Sequence, residues 1–226
     1  FATMLAAFLT GIAAGSAYAS RWVDRASRPA ALLGAAQVAI GISAVVLLPL
    51  FGEIYTVVRV IGVGGRVTVF LVCVLFMLVP TFLMGASFPL AARITAGRKG
   101  GVASALGSVY ALNTVGAIAG SLAAGFLIAP AFGIRNGILL VAAVNVLAGV
   151  VVLNAQPKGR SWEAWVPLAV GSLTVVLGFT LLPRTQFFVK SAIYQQQFTA
   201  MGTEAKVLSY EENADASVTV IRDPEG

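Results

Sequence analysis

The chain has 226 residues, of which 58% are hydrophobic and only 11% are charged. Soluble domains carry about 25% charged residues, so this composition excludes an ordinary soluble domain. The net charge of +6 does not indicate nucleic-acid binding, because the basic residues lie in loops between apolar stretches, where Lys and Arg usually record membrane orientation.

Six apolar stretches of 20 or more residues contain no charged side chain: Phe1–Ser20, Pro29–Gly52, Val67–Ala92, Gly101–Ile134, Asn136–Pro157 and Ala164–Pro183. A helix rises about 1.5 Å per residue, so roughly 20 apolar residues cross the hydrocarbon of a bilayer. The pattern predicts an all-α polytopic membrane protein. Its transmembrane domain covers residues 1–183, with about six helices at 1–20, 30–51, 67–92, 104–130, 136–154 and 164–183.

The remaining residues have a different chemistry, because six of the nine acidic residues lie after residue 183. Residues 184–204 are mixed and predict an interfacial helix or a linker. Residues 205–226 contain two short β-branched segments, Val207–Tyr210 and Ser217–Ile221, which predict two strands. An isolated hairpin is marginal in water, so we expect these to be the first strands of a truncated domain. The chain is expected to be a fragment cut at both ends.

The orientation follows from the Lys and Arg residues in alternate loops. One side carries eight: Arg21, Arg25, Arg28, Arg93, Arg98, Lys99, Lys158 and Arg160. The other carries five: Arg59, Arg66, Arg135, Arg184 and Lys190. The loops at 21–28, 93–99 and 158–163 are therefore predicted to be cytoplasmic, in a multi-pass protein integral to the cytoplasmic (inner) membrane. The same count places the tail on the opposite side.

Small residues recur at four-residue spacing in two stretches. The first stretch has Ala7, Gly11, Gly15 and Ala19, and the fourth has Asn113 followed by Gly116, Gly120 and Ala124. Small faces let membrane helices approach closely. We predict that both helices are buried against neighbours and that Asn113 makes an interhelical hydrogen bond. Such faces are typical of bundle packing, and a substrate path is the alternative.

Polar side chains within the stretches are few, namely Gln37, Asn113 and Asn145, and none is ionisable. This counts against ion-coupled transport, which normally uses an acid or a base at mid-membrane. The chain has no histidine, which is the commonest zinc ligand, and a single cysteine, Cys73, so we predict no metal site. Pro80 and Pro89 tend to kink the third helix. They fit either a broken helix that lines a site or ordinary membrane prolines.

The segment Arg21–Pro29 resembles the loop between the second and third helices of major facilitator proteins. In that loop an Asp-Arg pair, here Asp24 and Arg25, precedes further basic residues. Ser20 and Ser27 stand where the motif usually has glycines. The resemblance implies that the six helices form part of a major facilitator fold, with the first stretch as its second helix.

Three further segments resemble membrane proteins that fuse such helices to a spermidine synthase-like domain. They are Pro80–Leu90, Gly107–Ala117 and Val207–Val220. The resemblance implies an aminopropyltransferase-like domain after residue 226, with decarboxylated S-adenosylmethionine as its cofactor, so enzymatic activity would lie outside this chain. We interpret Glu211, Glu212 and Asp215 as solvated loop acids.

Three functions follow, in order of preference. The first is the transmembrane anchor region of a spermidine synthase-like protein. The second is an accessory subunit of a larger membrane complex, and the third is half of a major facilitator-type transporter. The expected partners are the lipid bilayer and a second copy or another membrane protein at the small-residue faces. The predicted external tail conflicts with cytosolic polyamine substrates, unless Gly52–Arg66 dips into the membrane.

Overall fold

The computed structural model describes residues 2–52, 66–99, 101–155, 162–182, 206–212 and 217–222. Its helices are α1 (Ala2–Ser20), α2 (Pro29–Gly52), α3 (Arg66–Lys99), α4 (Val102–Ala123), α5 (Ala129–Asn154) and α6 (Trp162–Leu181). A 3-10 turn at Val23–Arg25 precedes α2, and a π-helical turn at Ala124–Ile128 joins α4 to α5. Two strands follow, β1 (Lys206–Glu212) and β2 (Ser217–Arg222).

Length and composition allow three of the described helical segments to cross a membrane. They are Pro29–Leu50, Val74–Gly97 and Val102–Asn154, with mean hydropathies of 2.3, 1.9 and 2.4. Met4–Ser20 and Val166–Leu181 are shorter apolar helices. Large hydrophobic side chains cover the outside of the bundle, where they would be costly in water and suit lipid. The prediction of an all-α, multi-pass membrane protein is therefore confirmed.

The segment Val102–Asn154 is 53 residues long and would extend about 80 Å as one straight helix. Gly133 interrupts it with a φ of 72°. A Cβ built on Gly137 would lie 2.9 Å from Cγ2 of Ile128. In a straight helix, two residues with the sequence separation of Ile128 and Gly137 would lie about 13 Å apart along the axis. The chain therefore bends sharply at Gly133. The predicted loop between 130 and 136 is wrong: it is reduced to this bend, and Arg135 belongs to α5.

Local signals explain where two helices begin. Pro29 is the first residue of α2, a position where the missing N–H of proline is not needed. The first backbone hydrogen bond of that helix runs from Leu32 N–H to the Arg28 carbonyl. Gly101 is extended, with φ −160° and ψ 132°, and precedes α4.

The α1 and α3 helices cross at glycines on both sides of the contact. A Cβ on Gly15 would overlap the backbone carbonyl of Phe82, and a Cβ on Gly85 would overlap the backbone carbonyl of Ile12. Gly11 faces the hydroxyl of Thr81. Only glycine allows such backbone contact. The predicted burial of the small face of α1 is therefore confirmed.

A second close crossing joins α2 to α5. A Cβ on Gly149 would lie 2.7 Å from the Gly34 carbonyl oxygen, and a Cβ on Gly41 would lie 2.7 Å from the Ala142 carbonyl oxygen. The main hydrophobic core grows from this contact and includes α6: Val45, Leu48, Leu139, Ala142, Val146 and Val175. The α2 helix also contacts α3 and α6, so it is the central helix of the bundle.

The prolines of α3 do not break the helix, which runs from Arg66 to Lys99 through Pro80 and Pro89. Neighbouring hydroxyls donate to carbonyls one turn earlier: Thr81 Oγ1 to Met77 at 2.6 Å, and Ser87 Oγ to Leu83 at 2.8 Å. The structure favours ordinary membrane prolines over a broken helix.

The two strands pair antiparallel, with Lys206 opposite Arg222 and Glu212 opposite Ser217. They cover the segments in which strands were predicted. The predicted interfacial segment 184–204, the loop Gly52–Arg66 beyond its two end residues, most of the 158–163 loop and Asp215 lie outside the described residues.

Candidate functional site

The basic end of the bundle brings two of the predicted cytoplasmic loops together. The Asp24 carboxylate lies 3.8 Å from Nε of Arg93, which joins the turn after α1 to the end of α3. The Asp24 side chain is 86% exposed and the Arg93 side chain 43% exposed, so water screens this ion pair strongly. Asp24 therefore has a structural contact, and the 21–28 segment lies at the same end as residues 93–99. The predicted loop at 93–99 is wrong, because these residues form the last two turns of α3.

An open cleft of about 600 Å³ lies at this end, between the 22–28 segment and the helices α2, α5 and α6. Its lining combines two arginines with apolar side chains. The lining residues are Trp22, Arg25, Ala26, Ser27, Arg28, Ala31, Leu32, Ala35, Leu153 and Pro167. The cleft is therefore amphipathic, like the boundary between lipid headgroups and acyl chains.

The electrostatics of the cleft are positive. Arg25 and Arg28 are exposed, and neither forms an ion pair with an acid whose side chain the structure describes. The indole N–H of Trp22 is shielded from solvent and has no acceptor among the described residues. A buried donor without an acceptor is costly. The cleft therefore offers cations and no described carboxylate to balance them, and the arrangement suits an anion.

Metal binding has no support in the part of the chain that the structure describes, where no three His, Cys, Asp or Glu residues form a cluster. The predicted absence of catalytic and cofactor-binding residues stays a prediction. What the described side chains can do is hold helices together and attract a negatively charged group.

The small-residue face of α4 does not contact a neighbour within the described chain. A Cβ added at Gly116 or Gly120 would meet nothing within 4 Å. Every residue from 110 to 122 is exposed, and no described hydrogen bond involves the side chain of Asn113. Among the described residues, the predicted burial of this face is therefore wrong. The physical reason is that α4 contacts α3 only near its N-terminal end, where Ala105 is fully buried and the rings of Phe88 and Tyr110 are 5.0 Å apart.

Arg135 is a structural residue that sequence reasoning placed in a loop. Its side chain is 6% exposed and closes the C-terminal end of α6. Nη2 donates to the carbonyls of Gly178, Phe179 and Leu182 at 3.0, 3.2 and 2.6 Å. Nη1 donates to Oδ1 of Asn136 at 2.6 Å. A cation at a helix C-terminus is favourable because the last carbonyls lack helical partners. No pattern in the sequence marks this contact.

Arg135 and the basic cleft lie at opposite ends of α5. Leu153 lines the cleft, while Leu139, near Arg135, contacts Gly178 at the other end of the core. Arg135 therefore lies at the end of the bundle opposite to Arg25 and Arg28, as expected for loops on alternate sides of the helices.

Comparison with known proteins identified no relative of this chain. No protein-family model matches the chain, and neither the curated proteins nor the solved structures give a match. The resemblances to major facilitator helices and to spermidine synthase-like proteins therefore rest on the motifs of this sequence alone.

Proposed function

We propose that this chain is the transmembrane anchor region of a spermidine synthase-like integral membrane protein, without catalysis in its own residues. The observation that carries the proposal is the order of the elements. A bundle of apolar helices is followed by a charged antiparallel hairpin, β1–β2. A hairpin needs further strands or a helix to be stable, which is what a following domain would supply.

The contacts made by the motif residues support a scaffolding role. The Pro80–Leu90 segment lies in α3, and two of its residues, Thr81 and Gly85, contact α1 where the helices cross. The Asp24–Arg93 pair links the ends of the same helices. These groups are used for packing, which is the task of an anchor.

The side on which the following domain would lie bears on its reaction. The last helix, α6, ends beside Arg135, away from the basic end of the bundle. If the basic end is cytoplasmic, a domain that follows directly lies outside the cytoplasm. A synthase-like fold does not fix the reaction, so the proposal assigns an anchor and leaves the use of decarboxylated S-adenosylmethionine to the intact protein.

An accessory subunit is the second candidate, and one observation favours it. The α4 helix presents Asn113, Gly116 and Gly120 on a surface that no described residue covers. A lipid-facing amide without a hydrogen bond is costly, so a partner chain would stabilise this face. A transporter half ranks third, because a charged hairpin follows α6 in place of further apolar helices.

The reading frame on both sides of this sequence tests the proposal. We expect a glycine-rich strand–loop–helix shortly after Gly226, the fingerprint of a nucleotide-binding domain. Six further apolar spans would refute the anchor and support the transporter. An early stop codon, together with copurification of the chain with larger membrane subunits, would support the accessory subunit.

A further inference from the structure

We propose that the basic cleft binds one anionic phospholipid, with the headgroup phosphate at Arg25 and Arg28 and an acyl chain along the apolar inner wall. We call Arg25 and Arg28 the headgroup site. The residues that would contact the acyl chain form the chain site: Ala31, Leu32, Ala35, Leu153 and Pro167. Basic pockets between membrane helices recognise lipid headgroups in this way. The inference is independent of any synthase-like activity.

The arginines are available for an anion. Arg25 and Arg28 are exposed at the mouth of the cleft, and no described acid pairs with them. The acid that stands between them and α1, Asp24, makes its described ion pair with Arg93 instead. Two guanidinium groups three residues apart can share one phosphate, since each offers several N–H donors in a fork that matches phosphate oxygens.

The apolar wall favours a lipid over a soluble phosphate. A free phosphate would need only the arginines, whereas the cleft continues between α2, α5 and α6 as a surface of small and aliphatic side chains. Leu32 is 40% exposed on this surface, so an acyl chain would cover apolar area that is open in the chain alone. The positions of Pro167 near the start of α6 and of Leu153 near the end of α5 keep the wall next to the headgroup site.

Trp22 forms the side of the cleft. Its indole packs edge-on against Tyr18, with ring centroids 6.2 Å apart, and its N–H has no described acceptor. Tryptophan is favoured at the headgroup level because one part of its ring is apolar and the other donates a hydrogen bond. Trp22 therefore contributes the apolar part of its ring to the lining of the cleft.

Native mass spectrometry of the full 226-residue chain tests the site, with phosphatidylglycerol and phosphatidylcholine as probes. We expect one phosphatidylglycerol to remain bound under conditions that remove phosphatidylcholine. Arg28→Gln should weaken phosphatidylglycerol binding about five-fold, the effect of one cation near a membrane surface. Arg21→Gln is the matched control, since Arg21 is exposed on the same segment and does not belong to the headgroup site.

Equal losses of phosphatidylglycerol binding in Arg28→Gln and Arg21→Gln would overturn the proposal, because diffuse charge attraction alone would then explain the binding. Equal retention of the two lipids would also overturn it. Glycerol 3-phosphate competing as well as the intact lipid would reassign the site to a soluble phosphate and refute the lipid. Ala35→Phe fills the chain site and should abolish the preference for lipid over glycerol 3-phosphate. Arg28 is on the surface, so the first comparison stands even if Ala35→Phe does not fold.

Discussion

Adding a single methyl group at the α1–α3 crossing should weaken the bundle, whereas the same change on α4 should not. Gly85→Ala places a Cβ against the backbone carbonyl of Ile12, and Gly15→Ala places one against the carbonyl of Phe82. Backbone atoms of packed helices cannot rotate away, so the helices must separate. Gly120→Ala meets nothing within 4 Å and is the matched control.

The magnitude follows from comparing the variants. Alanine is favoured over glycine in a helix by about 1 kcal/mol, and this gain applies to all three positions and cancels in the comparison. What remains is the overpacking cost, about 1–3 kcal/mol. We expect Gly15→Ala and Gly85→Ala to be less stable than Gly120→Ala by that amount. Gly11→Ala should also be destabilised, because its Cβ would overlap the side chain of Thr81, which is 2% exposed.

Equilibrium unfolding of the purified chain in mixed micelles, followed by the loss of helical circular dichroism during a titration with dodecyl sulfate, measures these differences. Identical midpoints for Gly85→Ala and Gly120→Ala would refute the backbone contact between α1 and α3. A destabilised Gly120→Ala in a purified complex, but not in the isolated chain, would reveal a partner helix on α4.

Four other predictions concern three single contacts and the membrane orientation. Arg135→Gln should destabilise the chain by about 1–3 kcal/mol in the same titration, because three carbonyls at the end of α6 lose their charged donor; an unchanged midpoint would remove the guanidinium from that role. Asp24→Asn and Arg93→Gln should each cost less than about 1 kcal/mol, since the pair is exposed, and a larger loss would show that it is better shielded. Asn113→Leu should leave the midpoint of the isolated chain unchanged, because the Asn113 side chain has no described hydrogen bond. A loss of stability of about 0.6–2 kcal/mol would instead show that Asn113 makes an interhelical hydrogen bond. A topology reporter fused after Arg98 should read as cytoplasmic, and a periplasmic signal there would invert the orientation.

The helices could be predicted from the sequence because lipid imposes a simple requirement. A charge-free run of about 20 residues must be helical to satisfy its backbone within hydrocarbon. The exact turns are harder, because they depend on single residues. Arg135 marked a break between two apolar stretches, but the sequence did not show that a single positive φ at Gly133 would replace the expected loop.

The small-residue faces illustrate what a pattern can and cannot predict. Glycines at four-residue spacing indicate that a face is able to pack closely, which held for Gly11 and Gly15 on α1. The glycines with the same spacing on α4 have no neighbour in the described chain. A spacing pattern shows that a face can pack closely, but it does not show which helix packs there. The α2–α5 crossing used a signal that was present but overlooked, namely Gly34 and Gly41 seven residues apart.

The candidate site was the least predictable part. The arginines of the 21–28 loop could be recognised as a basic group, but a single sequence does not show that Leu153 and Pro167 complete a cleft beside them. Arg135 is a similar case, since its acceptors lie more than 40 residues away along the chain. Both features arise from tertiary contacts between distant helices.

The pairing of α1 with α3 and of α2 with α5 has a consequence for biosynthesis. Each early span leaves the ribosome before the helix that covers its glycines has been made. The nascent chain must therefore hold two incomplete surfaces in the bilayer until α3, and then α5, is inserted. Translation arrested after α2 would leave both surfaces open, and such a product should be a preferred substrate for membrane proteases.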